Sequence, residues 1–130
     1  MDILEQFGRN AGLVWDALNN HGALTESQLI ELTGLRPYEL YIAIGWLARE
    51  NKILFDGEKY SLSPTNLTPD IGKAAGKIWI ALATRDNVDI PSLVRLTNLD
   101  KQKVYHAIGW LAREDKIQLR ERFPAKPNWL

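Results

Sequence analysis

The residues best suited to chemistry in this sequence are cations and polar side chains in its second half. They fall on one predicted helix and on the segment that follows it: Lys101, Gln102, Lys103, His106, Arg113, Arg120 and Arg122. Lysine and arginine pair with phosphates, while glutamine and arginine can also read base edges in a major groove. These residue types predict contact with double-stranded DNA. The alternative is a solvated basic surface without a ligand.

Charge is divided unevenly along the chain, although the net charge is zero. Residues 1–65 carry five Lys or Arg and nine Asp or Glu residues, whereas residues 66–130 carry eleven and seven. Because a polyanion is attracted to the basic half and repelled by the acidic half, any DNA contact is expected in the second half. Accidental divergence of two solvated surfaces is the alternative explanation.

An internal repeat determines how these residues are positioned. The segment Ile44–Glu50 recurs as Ile108–Glu114, and the same offset of 64 residues aligns most of the two halves without a gap. Such a repeat predicts one small fold made twice, as copies spanning residues 1–63 and 68–130. The linker of about five residues spans less than about 20 Å, so we expect the copies to be in contact.

Each copy begins with an amphipathic helix. In the first copy its apolar residues are spaced at helical intervals: Phe7, Ala11, Val14, Trp15 and Leu18. This stripe predicts that Trp15 and its counterpart Trp79 are core residues. Gly8 and Gly12, which also recur in the second copy, predict close approach of another backbone, and we expect the apolar faces of the first helices to form part of the interface between the copies.

The remaining elements follow from local signals. Thr25 caps a short second helix, and Gly34 suits the left-handed turn that follows it. A third helix is predicted from near Pro37 to near Asn51, and Asp56-Gly57 predicts a hairpin with a two-residue loop. In the second copy we expect the returning hairpin strand at residues 128–130.

This order of helix, strand, helix, helix and hairpin is that of a winged helix-turn-helix, in which the hairpin is the wing. Both copies resemble a small winged helix-turn-helix family of bacteria and archaea with no assigned activity. The resemblance rests on the glycine-containing first helix and on the third-helix segments Leu40–Glu50 and Val104–Glu114. It implies a mainly α fold with small β wings, here in tandem, and names no ligand.

The third helix of the first copy differs from that of the second on the face opposite the core. Tyr38, Ile42 and Trp46 make this face apolar and aromatic in the first copy. An exposed apolar stripe usually marks a protein contact, so this face predicts a protein partner or a homodimer. The alternative is that Trp46 and its counterpart Trp110 pack against the wing or the first helix.

The composition argues against several other functions. The chain has no cysteine and two histidines, so no zinc site can be built from these ligands. It has no glycine-rich phosphate loop, and we expect no metal, no cofactor and no enzymatic activity. No apolar run approaches a membrane span, and no signal-peptide pattern opens the chain, which predicts a cytoplasmic location without membrane contact.

The sequence thus supports two hypotheses. The first is a DNA-binding protein, such as a transcription regulator, that acts through the third helix and wing of the second copy. The second is a protein-interaction or assembly module that is built on winged helices and does not bind DNA.

Overall fold

The computed structural model describes residues 2–85, 88–119 and 124–127, which form two copies of one small fold. The elements of the first copy are α1 (Ile3–His21), β1 (Leu24–Thr25), α2 (Glu26–Thr33), α3 (Pro37–Arg49), β2 (Ile53–Phe55) and β3 (Lys59–Leu62). Those of the second are α4 (Thr68–Thr84), β4 (Val88–Asp89), α5 (Ile90–Thr97), α6 (Lys101–Arg113), β5 (Ile117–Leu119) and β6 (Pro124–Pro127). The predicted mainly α fold with small β wings is confirmed.

Helix boundaries follow the predicted capping residues. The side chain of Asp2 accepts a hydrogen bond from the Glu5 amide at 2.8 Å, and Thr25 and Gln28 form a reciprocal capping box. Gly34 and its counterpart Asn98 close α2 and α5 in the left-handed conformation, with φ of 72° and 58°. Each tight turn then leads directly into the third helix of its copy, as expected for a helix-turn-helix.

Each copy has an antiparallel three-stranded sheet, in the orders β1-β3-β2 and β4-β6-β5. In the first wing the Asp56 amide donates to the Lys59 carbonyl, so the loop residues are Gly57 and Glu58, one position beyond the predicted pair. In the second wing the returning strand is Pro124–Pro127 and not the predicted residues 128–130, which lie outside the described residues. The strand starts earlier because Leu119 pairs with Ala125.

The first turns of each first helix pack in the hydrophobic core of the other copy. Phe7 at the start of α1 belongs to the core cluster of the second copy, together with Ile78 and Ile108. Ile71 at the start of α4 belongs reciprocally to the cluster of the first copy, which includes Leu29. This reciprocal packing confirms the expected contact between the copies and the part that the first helices play in it.

The prediction that Trp15 is a core residue is wrong. The buried stripe of α1 runs through Phe7, Ala11, Val14 and Leu18, and Trp15 lies about 100° further around the helix than Val14. Its side chain is consequently 36% exposed. Trp79 is half-buried, and the ammonium of Lys116 lies 5.8 Å from its ring centroid.

Candidate functional site

The third helices α3 and α6 pack face to face and make the closest contact between the copies. A Cβ atom added to Gly45 would overlap the backbone carbonyl of His106, and one added to Gly109 would overlap that of Ile42. Only glycine lets the two helix backbones approach so closely. The close approach predicted for Gly8 and Gly12 therefore occurs at a different pair of glycines.

The glycines of the first helix have other surroundings. A Cβ on Gly8 would lie 3.2 Å from the ring of Trp46, and one on Gly72 would lie 3.5 Å from the ring of Trp110. Gly12 has no neighbour within 4 Å of such an atom. Each tryptophan of the repeated motif thus rests on the first helix of its own copy, which is the packing alternative considered for these residues.

Reciprocal ion pairs join the ends of the two third helices. Arg49 Nε donates to Glu114 Oε2 at 2.9 Å, and Arg113 Nε donates to Glu50 Oε2 at 3.0 Å. Each guanidinium also lies over the tryptophan of the other copy, 5.5 Å from the Trp110 ring centroid and 5.9 Å from that of Trp46. Charge pairing and cation–π contact therefore both occur across the interface.

The predicted DNA-binding residues of the second copy differ in exposure, because part of α6 is buried against α3. Lys101 and Lys103 are exposed together at the start of α6, and Gln102 beside them is half-buried. Arg113 is partly exposed but is held by Glu50. Arg120 and Arg122 lie outside the described residues. The structure thus brings together the two lysines and separates them from Arg113.

His106 does not lie on an exposed face as predicted. Its ring meets Tyr41 of α3 edge to face, with the centroids 5.7 Å apart, because the other copy covers this side of α6. The ring as a whole is half-buried, and its Nε2 atom is buried without a hydrogen-bond partner. Burial lowers the pKa of His106 to about 4, so the imidazole is neutral at pH 7.

The predicted protein-contact residues of the first copy are also in this interface. Ile42 is fully buried, and the Tyr38 ring lies 5.5 Å from that of Tyr105 in the second copy. Trp46 is half-buried beneath Arg113. This apolar face is therefore not an exposed surface for another protein, because the second copy of the same chain already covers it.

One surface that sequence reasoning missed is a groove on the outside of the second copy, between α4 and α5. We call it the outer groove; its volume is about 340 Å³, and its lining residues are Lys77, Ile80, Ala81, Thr84, Arg85, Leu96 and Thr97. Ile80 is 64% exposed and Leu96 is 43% exposed. The sequence signal was Ile80 itself, an apolar residue away from the buried stripe of α4.

A second unpredicted feature is a cavity of about 310 Å³ between the copies, which we call the inter-copy cavity. It lies between the first wing and the starts of α4 and α6, with Glu26 of α2 at its wall. The Tyr41 hydroxyl donates to Glu26 at 2.7 Å, and burial together with this bond raises the pKa of Tyr41 to about 12. Burial also raises the pKa of Tyr60 to about 12.

The described residues were also compared with the requirements of a metal site and of a membrane-spanning helix. No group of three or more His, Asp or Glu side chains among them is arranged to hold a metal ion. No helix in the same residues combines the length and the apolar character needed to cross a membrane.

Comparison with known families agrees with the observed repeat. The family model described as "Winged helix-turn-helix domain (DUF2582)" matches the chain twice, over residues 1–66 and 65–124. No curated protein and no solved structure matches the chain. The two matches cover nearly the whole sequence.

Proposed function

Since this chain belongs to the winged helix-turn-helix domain family through both of its copies, we propose that it is an assembly module which joins its molecules through the outer faces of those copies. The observation that carries the proposal is the burial of both third helices against each other. The helix that reads DNA in many proteins of this fold class is thereby occupied in each copy.

Exposing α6 to a DNA groove would disrupt the interface. Ile42 and Ala107 are fully buried, and separating the helices would expose both to water. The reciprocal pairs of Arg49 with Glu114 and of Arg113 with Glu50 would also be broken. The outer faces of the two copies remain available for a partner without any such disruption.

The outer groove of the second copy suits an apolar and acidic partner. Ile80 and Leu96 supply its exposed apolar surface, while Lys77 and Arg85 supply two cations. No carboxylate is among the described residues that line it. Apolar surface surrounded by charge is typical of protein-contact sites.

The matching face of the first copy has the complementary character. Leu13 and Leu32 are 41% and 48% exposed there. Asp16 occupies the position that matches Ile80, and Glu31 occupies the position that matches Arg95. An apolar, acidic face and an apolar, basic groove on opposite copies favour head-to-tail contact between molecules. Such contacts produce rings or open filaments.

Sedimentation of mixed variants tests this proposal. Ile80→Asp replaces the exposed apolar residue of the groove and leaves the acidic face unchanged, whereas Leu32→Asp replaces an exposed apolar residue of the acidic face and leaves the groove unchanged. We expect the wild-type protein to self-associate with rising concentration and each variant alone to associate at least about tenfold more weakly. A mixture of the two variants should form one-to-one dimers and nothing larger.

Lys59→Ala is the matched control, because it makes the same change in net charge on the exposed first wing. It should associate like the wild type. A wild-type protein that remains monomeric at all concentrations, or variants that associate as strongly as the control, would rule out the outer faces as assembly surfaces.

Double-stranded DNA binding is the second candidate function. Exposure of Lys101 and Lys103 at the start of α6 favours it, together with the fold of the family. The contact would be made by the first turn of α6 and by the second wing, where Arg120 and Arg122 are predicted to contribute. The remainder of α6 would stay in the interface between the copies.

Duplex retention at two salt concentrations tests this candidate. If this candidate is correct, the double variant that carries Lys101→Glu and Lys103→Glu should not be retained on duplex DNA at low salt, because phosphate contacts supply most of the affinity. Arg36→Glu at the matching start of α3 should change retention little. Equal losses in the two variants, or no retention by the wild type, would reject the assignment to the second copy.

A further inference from the structure

The inter-copy cavity has the size and lining of a ligand site. Its volume of about 310 Å³ lies at the lower end of the range for small-molecule pockets. Phe55 and Tyr60 of the first wing stack with centroids 4.5 Å apart on one side, and Leu67, which precedes α4, and Ile71 in its first turn line another. These side chains give the cavity an apolar surface against which an alkyl chain can pack.

The charged groups around this cavity are mainly carboxylates. Glu26, Glu58, Asp70 and Asp100 line it together with a single ammonium, that of Lys103, which gives a formal charge of −3. Glu26 accepts a hydrogen bond from the Tyr41 hydroxyl, and Asp100 accepts one from the Lys103 amide as the N-cap of α6. Neither Glu58 nor Asp70 forms a side-chain ion pair with any described residue. Two carboxylates at the cavity therefore remain to neutralise a cation from outside.

His106 is a second and independent indication of a ligand. It lines the cavity, and its buried Nε2 atom has no hydrogen-bond partner. A buried polar atom without a partner lowers stability, and a bound hydrogen-bond donor would satisfy it. The matching residue of the first copy is Ile42, which is fully buried, so packing alone is satisfied by an aliphatic side chain.

The repeat shows that this chemistry belongs to one side of the molecule. The residues that match Glu26, Asp70 and Asp100 by the repeat are Ile90, Gln6 and Arg36. The residue that matches Glu58 is Arg122, so the sequence has none of the four carboxylates and no histidine at the matching positions, as expected if one side alone has acquired a ligand.

We infer that the inter-copy cavity binds an aliphatic amine with two or more ammonium groups. The methylene chain packs against Phe55, Tyr60 and Ile71, and the ammonium groups meet Glu58 and Asp70. Aromatic faces also attract ammonium groups directly. The neutral imidazole of His106 can accept a hydrogen bond without repelling the cation. This inference is independent of the assembly function proposed above.

Calorimetric titration of the full chain with putrescine and spermidine tests the inference. We expect saturable one-to-one binding of both, and no binding of 1,6-hexanediol, which has a similar chain without charge. The double variant Glu58→Gln with Asp70→Asn should weaken binding at least about tenfold. The control Glu5→Gln with Asp115→Asn makes the same change in net charge at exposed carboxylates that do not line the cavity, and it should bind like the wild type.

His106→Ile separates ligand binding from folding, because it copies the residue that the first copy tolerates at this position. It should weaken amine binding without lowering the melting temperature of the unliganded protein. Amide chemical shifts of Ile71 and Ala74 should move on titration of the wild type. Unsaturable binding, displacement by an equal concentration of Mg²⁺, or full binding by the double variant would overturn the inference.

Discussion

Replacing Gly45 by alanine will lower the free energy of unfolding by about 3 kcal/mol, because the new Cβ has no space beside the His106 carbonyl. The neighbour is backbone rather than the end of a flexible side chain, so the helices α3 and α6 must move apart. Gly109→Ala meets the Ile42 carbonyl in the same way and should have a similar effect. Urea denaturation of each variant measures this change.

Gly12→Ala and Gly76→Ala are matched controls for these substitutions. Both glycines lie within first helices, and a Cβ at either position would meet nothing within 4 Å. Alanine should therefore stabilise each helix by about 0.5–1 kcal/mol. If Gly45→Ala raised stability as Gly12→Ala does, the third helices would not be in contact at this point.

The second large effect is expected at the tryptophans of the repeated motif. Trp46→Ala should lower the free energy of unfolding by about 3 kcal/mol, because its ring fills the space above Gly8 and contacts Arg113 of the other copy. Trp110→Ala should cause a similar loss, because the Trp110 ring lies above Gly72 and contacts Arg49 of the first copy. Thermal and urea unfolding of the variants provide the measurement.

Trp15→Ala is the comparison for both variants. Its side chain is 36% exposed at the edge of the buried stripe of α1, so we expect a loss below about 1 kcal/mol. A larger loss for Trp15→Ala than for Trp46→Ala would contradict the helix phase seen in the structure and would restore the core role predicted from the sequence.

The sequence predicted the local structure well because that structure depends on neighbouring residues. Asp2, Thr25 and Asp89 accept the amide hydrogen bonds expected of helix caps. Gly34 and Asn98 adopt the left-handed turns for which they are suited. Each of these features is decided within about four residues of chain, so no tertiary information was needed.

The arrangement of the copies was predicted less well, because it depends on which repeated residues face the other copy. A glycine that recurs within a helix signals close approach, but Gly8 and Gly45 both carry that signal in the sequence. Helical periodicity identified the face of α3 opposite its own core, yet it could not show that α6 covers this face. The burial of Ile42 and His106 follows from that missing contact.

The repeated segment IGWLARE is accounted for by the pairing of the copies. Gly45 and Gly109 permit the approach, the tryptophans fill the space beside it, and the arginines and glutamates pair across the ends. These contacts are reciprocal, so each residue must be kept in both copies. Outside the segment the copies differ, for example at Glu26 and Ile80. The inter-copy cavity and the outer groove are both lined by residues from these differing positions.

The most direct test of this account measures the distance between the two third helices in solution. In the structure the α-carbons of Gly45 and His106 adjoin across the interface, as do Gly109 and the backbone of Ile42 and Trp46. Nuclear Overhauser effects between the α-protons of Gly45 and His106 should therefore be strong in the full chain. Their absence, with both copies folded, would contradict the face-to-face packing of α3 and α6.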